Sequence, residues 1–360
     1  MEDSFAEQIV PGVYLRVLSE GLIAPKGLSF GNVGIVGTAA AAAGVTDALG
    51  TTHILGSMED AARFYAPADG IAAGTLNLMR GLSLLFANGA RTVYAHGIAA
   101  ASNVGAFQTG LAELLKEDVN ILVTPELSTA DARLSLPPAL ETAENNGRDM
   151  IAVIGADGAN PTAIKAQAGD NKRVILAAPA VRAFDAASAS VVTLPGSYSA
   201  AVVAGLIASL APQSSPTNKV LPGVVELGIR YSYGEIKDLL QGRVCVLEDR
   251  QGIRVVRGLT THSEAFTQIT TRRIVDFAKG GIRLVASPFI GKLNNDRVRK
   301  ALQGAIDSFL TTMVVDEALT GYELEVKASR ADEIAGRCVV NVSMQPTFSI
   351  DFIRVTLALS

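Results

Sequence analysis

"PGSYSAAVVAGLIA", from Pro195 to Ala208, is the stretch on which the fold turns. A Pro-Gly pair opens it, and small and branched apolar residues follow without a single charge. A helix apolar on every side belongs inside a large protein or in a bilayer. This apolar run ends at Ala211, too short and too alanine-rich to span hydrocarbon. The sequence therefore predicts a central helix inside a layered domain. "SVVTLPG" (Ser190–Gly196) predicts the short strand that feeds it.

The segments upstream supply the layers. "KRVILAAP" (172–179), "DMIAVIGAD" (149–157) and "NILVTPE" (120–126) are apolar runs, each reached through a crossover. Such runs predict parallel strands buried on both faces. Helix "FQTGLAELLKE" and a helical stretch around Pro138–Asn146 lie between them. Further upstream, Val33–Thr38 and "RTVYAHGI" predict strands, and "MEDAARFY" and "LNLMRGLSLLFANGA" predict helices. The alanine run after Val33–Thr38 predicts a loop.

Downstream of the turn-rich "QSSPTNKVLPGVVEL" the texture changes. A short helix, "YGEIKDLLQGR", precedes a hairpin about Asp249–Gly252. Two long helical stretches follow, the second capped by Asn294 or Asn295, then strands "GYELEVKAS" and "GRCVVNVSMQP". Both termini predict extended arms. Near the start, Val13, Leu15 and Val17 alternate with Tyr14, Arg16 and Leu18 between turn residues. At the end, Phe348, Ile350 and Phe352 alternate with polar residues, and the apolar phase then flips to Ile353, Val355, Leu357 and Leu359. The expected parts are an arm over 1–25, an α/β portion over 26–100, an α/β domain over 101–240, an α+β domain over 241–345 and an arm over 346–360.

Composition narrows the function. The chain has 360 residues, 49% hydrophobic and only 5% aromatic, with a net charge of −4. That charge gives no general attraction to nucleic acid. It is unevenly spread: residues 1–70 carry 8 acidic and 3 basic side chains, residues 230–300 carry 7 and 14. Arg297, Arg299 and Lys300, at the start of the last long helix, are candidates for meeting an acidic neighbour. Cys245 and Cys338 sit in strand-like runs without metal spacing and are expected as buried thiols. The N-terminus lacks the pattern of a signal peptide.

Motifs for chemistry are missing or misplaced. The histidines are His53, His96 and His262, so none falls between 97 and 261, the heart of the α/β region. A Ser-His-Asp triad inside that domain is excluded. "GLSFG" (27–31) matches the G-x-S-x-G pattern, but a strand follows Ser29 where a helix is required. The glycines at 31, 34 and 37 have the wrong spacing for a dinucleotide site, and no phosphate loop occurs. A hydrolase or a nucleotide-binding protein is thus the disfavoured alternative. No catalytic residue, cofactor or metal is expected.

The Pro195–Ala208 stretch is similar to the serine-bearing helix start of subtilisin-like proteases, with Tyr198 or Ser199 at the nucleophile position and Val202-Val203 in place of the downstream Pro-His. A subtilisin-like α/β domain without its triad, followed by an α+β domain, resembles the sheath proteins of contractile phage tails, R-type bacteriocins and contractile injection systems. "PGVYLRVLSEG", "VGIVGTA", "LLFANGARTVYA", "ITTRRIVDFAKGGI", "NDRVRKALQGAIDSFLTTMVVDEALTGYELEV" and "GRCVVNVSMQPTFSIDFIRVTLAL" carry the resemblance in the expected order. It implies a structural subunit that polymerises helically with itself, in hexameric rings, around a rigid tail tube. Contraction would drive the tube through a cell envelope. Implied partners are the tube protein, the baseplate and the tail terminator, with no direct nucleic acid and no membrane insertion. The implied location is a virion tail or a comparable particle, assembled in the bacterial cytoplasm. The arms, through Val13, Tyr14, Leu15, Arg16, Val17, Phe348, Ile350, Ile353, Val355, Leu357 and Leu359, would add strands to neighbouring subunits.

Overall fold

Most of the valine, isoleucine and alanine runs along the first 255 residues pair into one eight-stranded sheet, and three short strands form a second, in a computed structural model that describes residues 28–67, 78–99, 103–185 and 188–358. The expected N-terminal strand, with Val13, Tyr14, Leu15, Arg16 and Val17, lies outside the described residues, as does Leu359. The elements begin with β1 (Val33–Ala39), β2 (Thr52–Leu55), α1 (Met58–Phe64), α2 (Leu78–Ala87) and β3 (Val93–Ala99). Next come α3 (Val104–Leu114), β4 (Ile121–Val123), α4 (Thr129–Asn145), β5 (Ile151–Gly155), α5 (Pro161–Gln167) and β6 (Val174–Ala178). They continue with β7 (Val181–Asp185), β8 (Ser190–Thr193), α6 (Ser199–Ser209), β9 (Glu226–Leu227), α7 (Tyr233–Gln241), β10 (Cys245–Asp249) and β11 (Ile253–Val255).

The sheet order is β11-β10-β6-β5-β4-β1-β3-β2. Its six central strands are parallel, and β2 and β11 join antiparallel at the two edges. Because side chains alternate along a strand, each buried strand feeds two cores. Val33, Ile35, Ile121, Val153 and Ile175 face α2 and α6. Val36, Leu122, Ile154, Leu176 and Val246 face α3, α4, α5 and α7. The expected central helix is α6, buried continuously from Ser199 to Ala208. Gly205 permits this: a Cβ there would lie 2.6 Å from the Leu85 carbonyl oxygen on α2. The strand glycines serve packing in the same way. A Cβ at Gly34 would lie 2.9 Å from the Val119 side chain, and one at Gly37 would meet Glu126 and Leu78.

Two local expectations differ from the structure. α4 starts nine residues before Pro138, at Thr129, and runs through Pro137 and Pro138. Ser128 caps it by accepting from the Asp131 amide, and its stripe of Ala132, Leu136, Leu140 and Ala143 is buried. That apolar stripe outweighs the two missing amide donors. The sheet also extends past residue 241, because β10 pairs with β6 and carries β11 with it. Cys245 is buried, as expected, and burial pushes its thiol up to about 12. Cys338, by contrast, is exposed. It lies just before the strand Val339–Pro346, with its Sγ 3.9 Å from the Lys327 carbonyl oxygen.

The remaining elements form a second core. They are α8 (Ile269–Ala286), α9 (Asp296–Val315), β12 (Leu319–Lys327), α10 (Arg330–Ile334) and β13 (Val339–Pro346). Ile274, Ala278, Leu302, Ile306, Phe309, Leu310 and Met313 interlock between the two long helices. Gly281 lets the Phe309 ring lie flat against α8, since a Cβ would come within 1.9 Å of it. Of the two expected caps of α9, Asn294 and Asn295, it is Asn295 that accepts from the Val298 amide.

Charged side chains join this module to the sheet. Arg273 on α8 is buried and donates to the carbonyls of Leu210, Ala211 and Phe30, ending α6. A cation at a helix C-terminus also complements the helix dipole. Arg173, before β6, reaches Glu144, Asp149 and Asp276 at 2.8–3.0 Å. Lys279 and Arg283 of α8 complete the network on Glu144 and Asp149. Its members come from α4, the loop before β5, the turn before β6, and α8. The module is therefore fixed to the sheet by several directional contacts at once.

Candidate functional site

The serines that could mark chemistry are all engaged, Ser197 and Ser199 buried and Ser29 half-buried. Ser199 is fully buried and donates its hydroxyl to the Gly196 carbonyl at 2.7 Å. Ser197 donates to the Pro125 carbonyl at 2.6 Å, and Ser29 to Asn120. His96 is buried beside Thr52, and burial lowers its basicity. His53 stacks on Phe64, with ring centroids 3.9 Å apart. Neither histidine reaches Ser197 or Ser199. Among the described residues no group of three acidic, histidine or cysteine side chains could hold a metal. No described helix is long and apolar enough to cross a membrane.

The ribbon β12–β13 has a different character. Its strands pair antiparallel from Leu319↔Pro346 to Lys327↔Val339. Tyr322, Leu324, Val326, Val340, Val342 and Met344 point inward and pack on the helical core. Glu323, Glu325, Asn341 and Ser343 point outward. Tyr322 is pinned to α9 by its hydroxyl, which donates to Asp307 at 2.7 Å. The sheet contains these two strands and no more, so each has one edge unpaired among the described residues. A two-stranded ribbon on an apolar support is a template for further strands.

After β13 the chain makes no regular element, although its sequence reads as strand. A strand requires backbone partners, and residues 347–358 find no ladder among the described residues. One stretch is nevertheless held. Asp351, with a side chain only 5% exposed, accepts from Arg257 Nε at 2.7 Å and from Gln268 Nε2 at 3.1 Å. Thr217 Oγ1 donates to its other oxygen at 3.4 Å. Gln268 Oε1 also accepts from the Ser349 amide at 3.2 Å. The Arg257 guanidinium lies over the Phe352 ring, 5.2 Å from its centroid. Phe348, Ile350 and Phe352 therefore face solvent while Ser349 and Asp351 face the protein. Beyond the clamp, Ile353, Val355 and Leu357 are all at least 75% exposed.

The basic candidates separate. Arg299 bonds to Glu333 at 2.9 Å and to Asn294, tying α9 to α10. Lys300 pairs along its own helix with Asp296 at 3.0 Å and stays exposed. Arg297 is exposed and has no ion pair among the described residues. The neighbouring loop adds exposed Ile290 and Leu293, with Lys292 over the Phe289 ring.

Comparison with known proteins decides the family. The phage tail sheath protein central domain matches residues 99–261, and the phage tail sheath C-terminal domain matches residues 261–360. The chain belongs to the phage tail sheath family. This sheath protein is a structural subunit of a contractile sheath, not an enzyme. Its mixed α/β fold is that of solved sheath subunits. The helical sheath of the anti-feeding prophage in its contracted state is similar at a TM-score of 0.75, with 18% identity over 98% of this chain and 99% of that one. The sheath of an extracellular contractile injection system, PVC, in its contracted state gives 0.72, with 17% identity over 98% of each chain. The sheath tail protein Lin1278 from Listeria innocua gives 0.69, with 14% identity over 89% of this chain and 93% of that one. No curated sequence relative matches.

Sequence reasoning missed the clamp of this sheath protein. Asp351 was legible only as a polar residue between Ile350 and Phe352. Its partners lie in two separate connections, Thr217 between α6 and β9 and Arg257 and Gln268 at opposite ends of the one between β11 and α8, and no local spacing joins them to Asp351. The one available signal was the change of apolar phase at Phe352–Ile353, which falls where the clamp ends.

Proposed function

We propose that this sheath protein assembles by passing its terminal arms to the β12–β13 ribbons of neighbouring copies. The observation that carries the reading is a pair of complements on one molecule: an apolar-backed ribbon with both edges unpaired among the described residues, and a tail whose apolar residues are exposed beyond the clamp. The C-terminal arm supplies Ile353, Val355, Leu357 and Leu359, and the N-terminal arm supplies Val13, Tyr14, Leu15, Arg16 and Val17. Added strands gain backbone hydrogen bonds, and alternate side chains set their register. A donor edge differs from an acceptor edge, so the contact is heterologous and propagates into an open helix.

The polymer surrounds a tail tube in hexameric rings, with baseplate and terminator proteins at its ends, and is assembled in the bacterial cytoplasm. Contraction is a repacking of subunits between two arrangements while the arms keep them connected, with no nucleotide involved. Its effect is to push the tube through a target envelope. Arg297 and Lys300 remain candidates to face an acidic tube or neighbour. Arg299 serves its own subunit instead. The test is a chain ending at Phe352. It should stay folded by circular dichroism and fail to pellet as polymer, whereas normal polymerisation would refute arm exchange through this terminus.

A further inference from the structure

The tail is laid down with its polarity inverted. Over 348–352 the polar residues face the subunit and the aromatic and aliphatic ones face outward. A segment that merely filled a groove would bury Phe348, Ile350 and Phe352. This one is instead gripped through a carboxylate and its backbone. Asp351 collects donors from the loop at Thr217, from Arg257 after β11 and from Gln268 before α8. Gln268 engages Ser349 at the same time, accepting from its amide at 3.2 Å and lying 3.5 Å from its carbonyl. Two of these three points are on the sheet side of the molecule, so the tail bridges both cores before it leaves. Among the described residues, 353–358 make no hydrogen bond or ion pair.

We propose that Asp351 is a positioning residue for assembly: its clamp is the fixed base of the C-terminal arm, and only the residues from Ile353 onward pass to a neighbour. The inference rests on the arm-exchange reading and adds to it where the arm is anchored and how far it reaches. From Ile353 to Ser360 an extended chain spans roughly 26 Å. Without the clamp the tether starts at Pro346, longer by six residues and with its direction undefined. Holding 349–352 in place beforehand removes an ordering cost from each association step. Freeing them therefore raises the concentration needed to polymerise by about tenfold or more. The phase change at Phe352–Ile353 follows from the same arrangement. Before it, side-chain direction is set by the clamp, and after it by the acceptor ribbon.

The test uses the full chain with Cys338→Ser, carrying a spin label at Ile350→Cys or Val355→Cys. In unassembled protein the label at 350 should be restricted and the label at 355 mobile. Asp351→Ala should free the label at 350, leave the thermal midpoint within about 3 °C and raise the critical concentration about tenfold or more. Gln268→Ala, which removes both grips on Ser349, should act in the same direction and covers the case in which Asp351→Ala misfolds. Two results overturn the proposal: a label at 350 as mobile as that at 355, or both variants polymerising at the wild-type concentration. If the chain ending at Phe352 also polymerises normally, the arm-exchange reading falls with it. If that truncation blocks assembly while both variants assemble normally, only the clamp is refuted.

Discussion

Replacing Arg173 by Met tests whether the C-terminal module and the sheet move as one body. The Arg173 side chain is 2% exposed and donates to Glu144, Asp149, Asp276 and the Met150 carbonyl at 2.8–3.0 Å. Met preserves much of the length and removes every donor. Breaking a buried ion pair by deleting one partner costs about 3–5 kcal/mol. Here each carboxylate keeps another cation: Asp276 has Arg272, Asp149 has Lys279 and Arg283, and Glu144 has Lys172 and Lys279. That places the loss at the lower end, about 3 kcal/mol, including the orphaned Met150 carbonyl. With a urea slope of about 3 kcal/mol/M the unfolding midpoint falls by roughly 1 M. The pH dependence supplies a second reading. The Arg173 guanidinium holds Glu144 well below the usual carboxylate range. Burial works against ionisation of Asp149, but Lys279 and Arg283 outweigh it and also hold it low. A depressed carboxylate gives stability that is full above about pH 4 and is lost as pH falls toward the folded value. The gap between wild type and Arg173→Met should therefore narrow below about pH 4. A loss under about 1 kcal/mol, or a gap that stays constant on acidification, would refute the argument.

Three further perturbations have definite expected outcomes. Glu126 is pushed up to about 7 by burial, only partly offset by the Thr38 amide and hydroxyl that bond to it. A raised carboxyl costs stability as pH climbs from its unfolded value near 4.5 toward 7, so Glu126→Gln should flatten that slope and gain roughly 1–2 kcal/mol at pH 8, read by urea titration at several pH values. Gly205→Ala should lower the melting temperature by about 2–6 °C, because the new Cβ meets the Leu85 carbonyl oxygen. A strand added along β12 with Ile353, Val355 and Leu357 toward α9 puts Arg354 on the outward face shared by Glu323 and Glu325; the register that sets it beside Glu323 is tested by a charge swap. Glu323→Arg and Arg354→Glu should each weaken pelleting of the polymer, and their combination should restore it, at about 0.2–1 kcal/mol per contact.

Different parts of the molecule were legible to different depths. The buried strands and the all-apolar helix α6 could be read directly, because a segment buried on every side needs no polar phase. The helices α8 and α9 follow from periodicity, and the cap of α9 from a choice between Asn294 and Asn295 that the fold resolves at Asn295. α10 was not visible: Arg330–Ile334 is a single turn stabilised by Ser329 and Asp332 capping each other, with no buried residue. α4 reads short in the sequence because Pro137 and Pro138 interrupt the pattern that leads back to its cap at Ser128. At the candidate site, the ribbon strands and the apolar tail were legible as patterns. The partners of Asp351 and the internal pairing of Arg299 on α9 with Glu333 on α10 were not, because both join segments brought together only by the fold.

The central claim is that arms pass from one copy to the ribbon of the next. A reconstruction of the assembled polymer, resolved well enough to trace strands, tests it most directly. The account predicts a sheet extended beyond β12 and β13 by strands from other copies, with 353–359 of one copy leaving its body at Phe352. A polymer in which the ribbon remains two-stranded, and each tail stays on its own subunit, would contradict it.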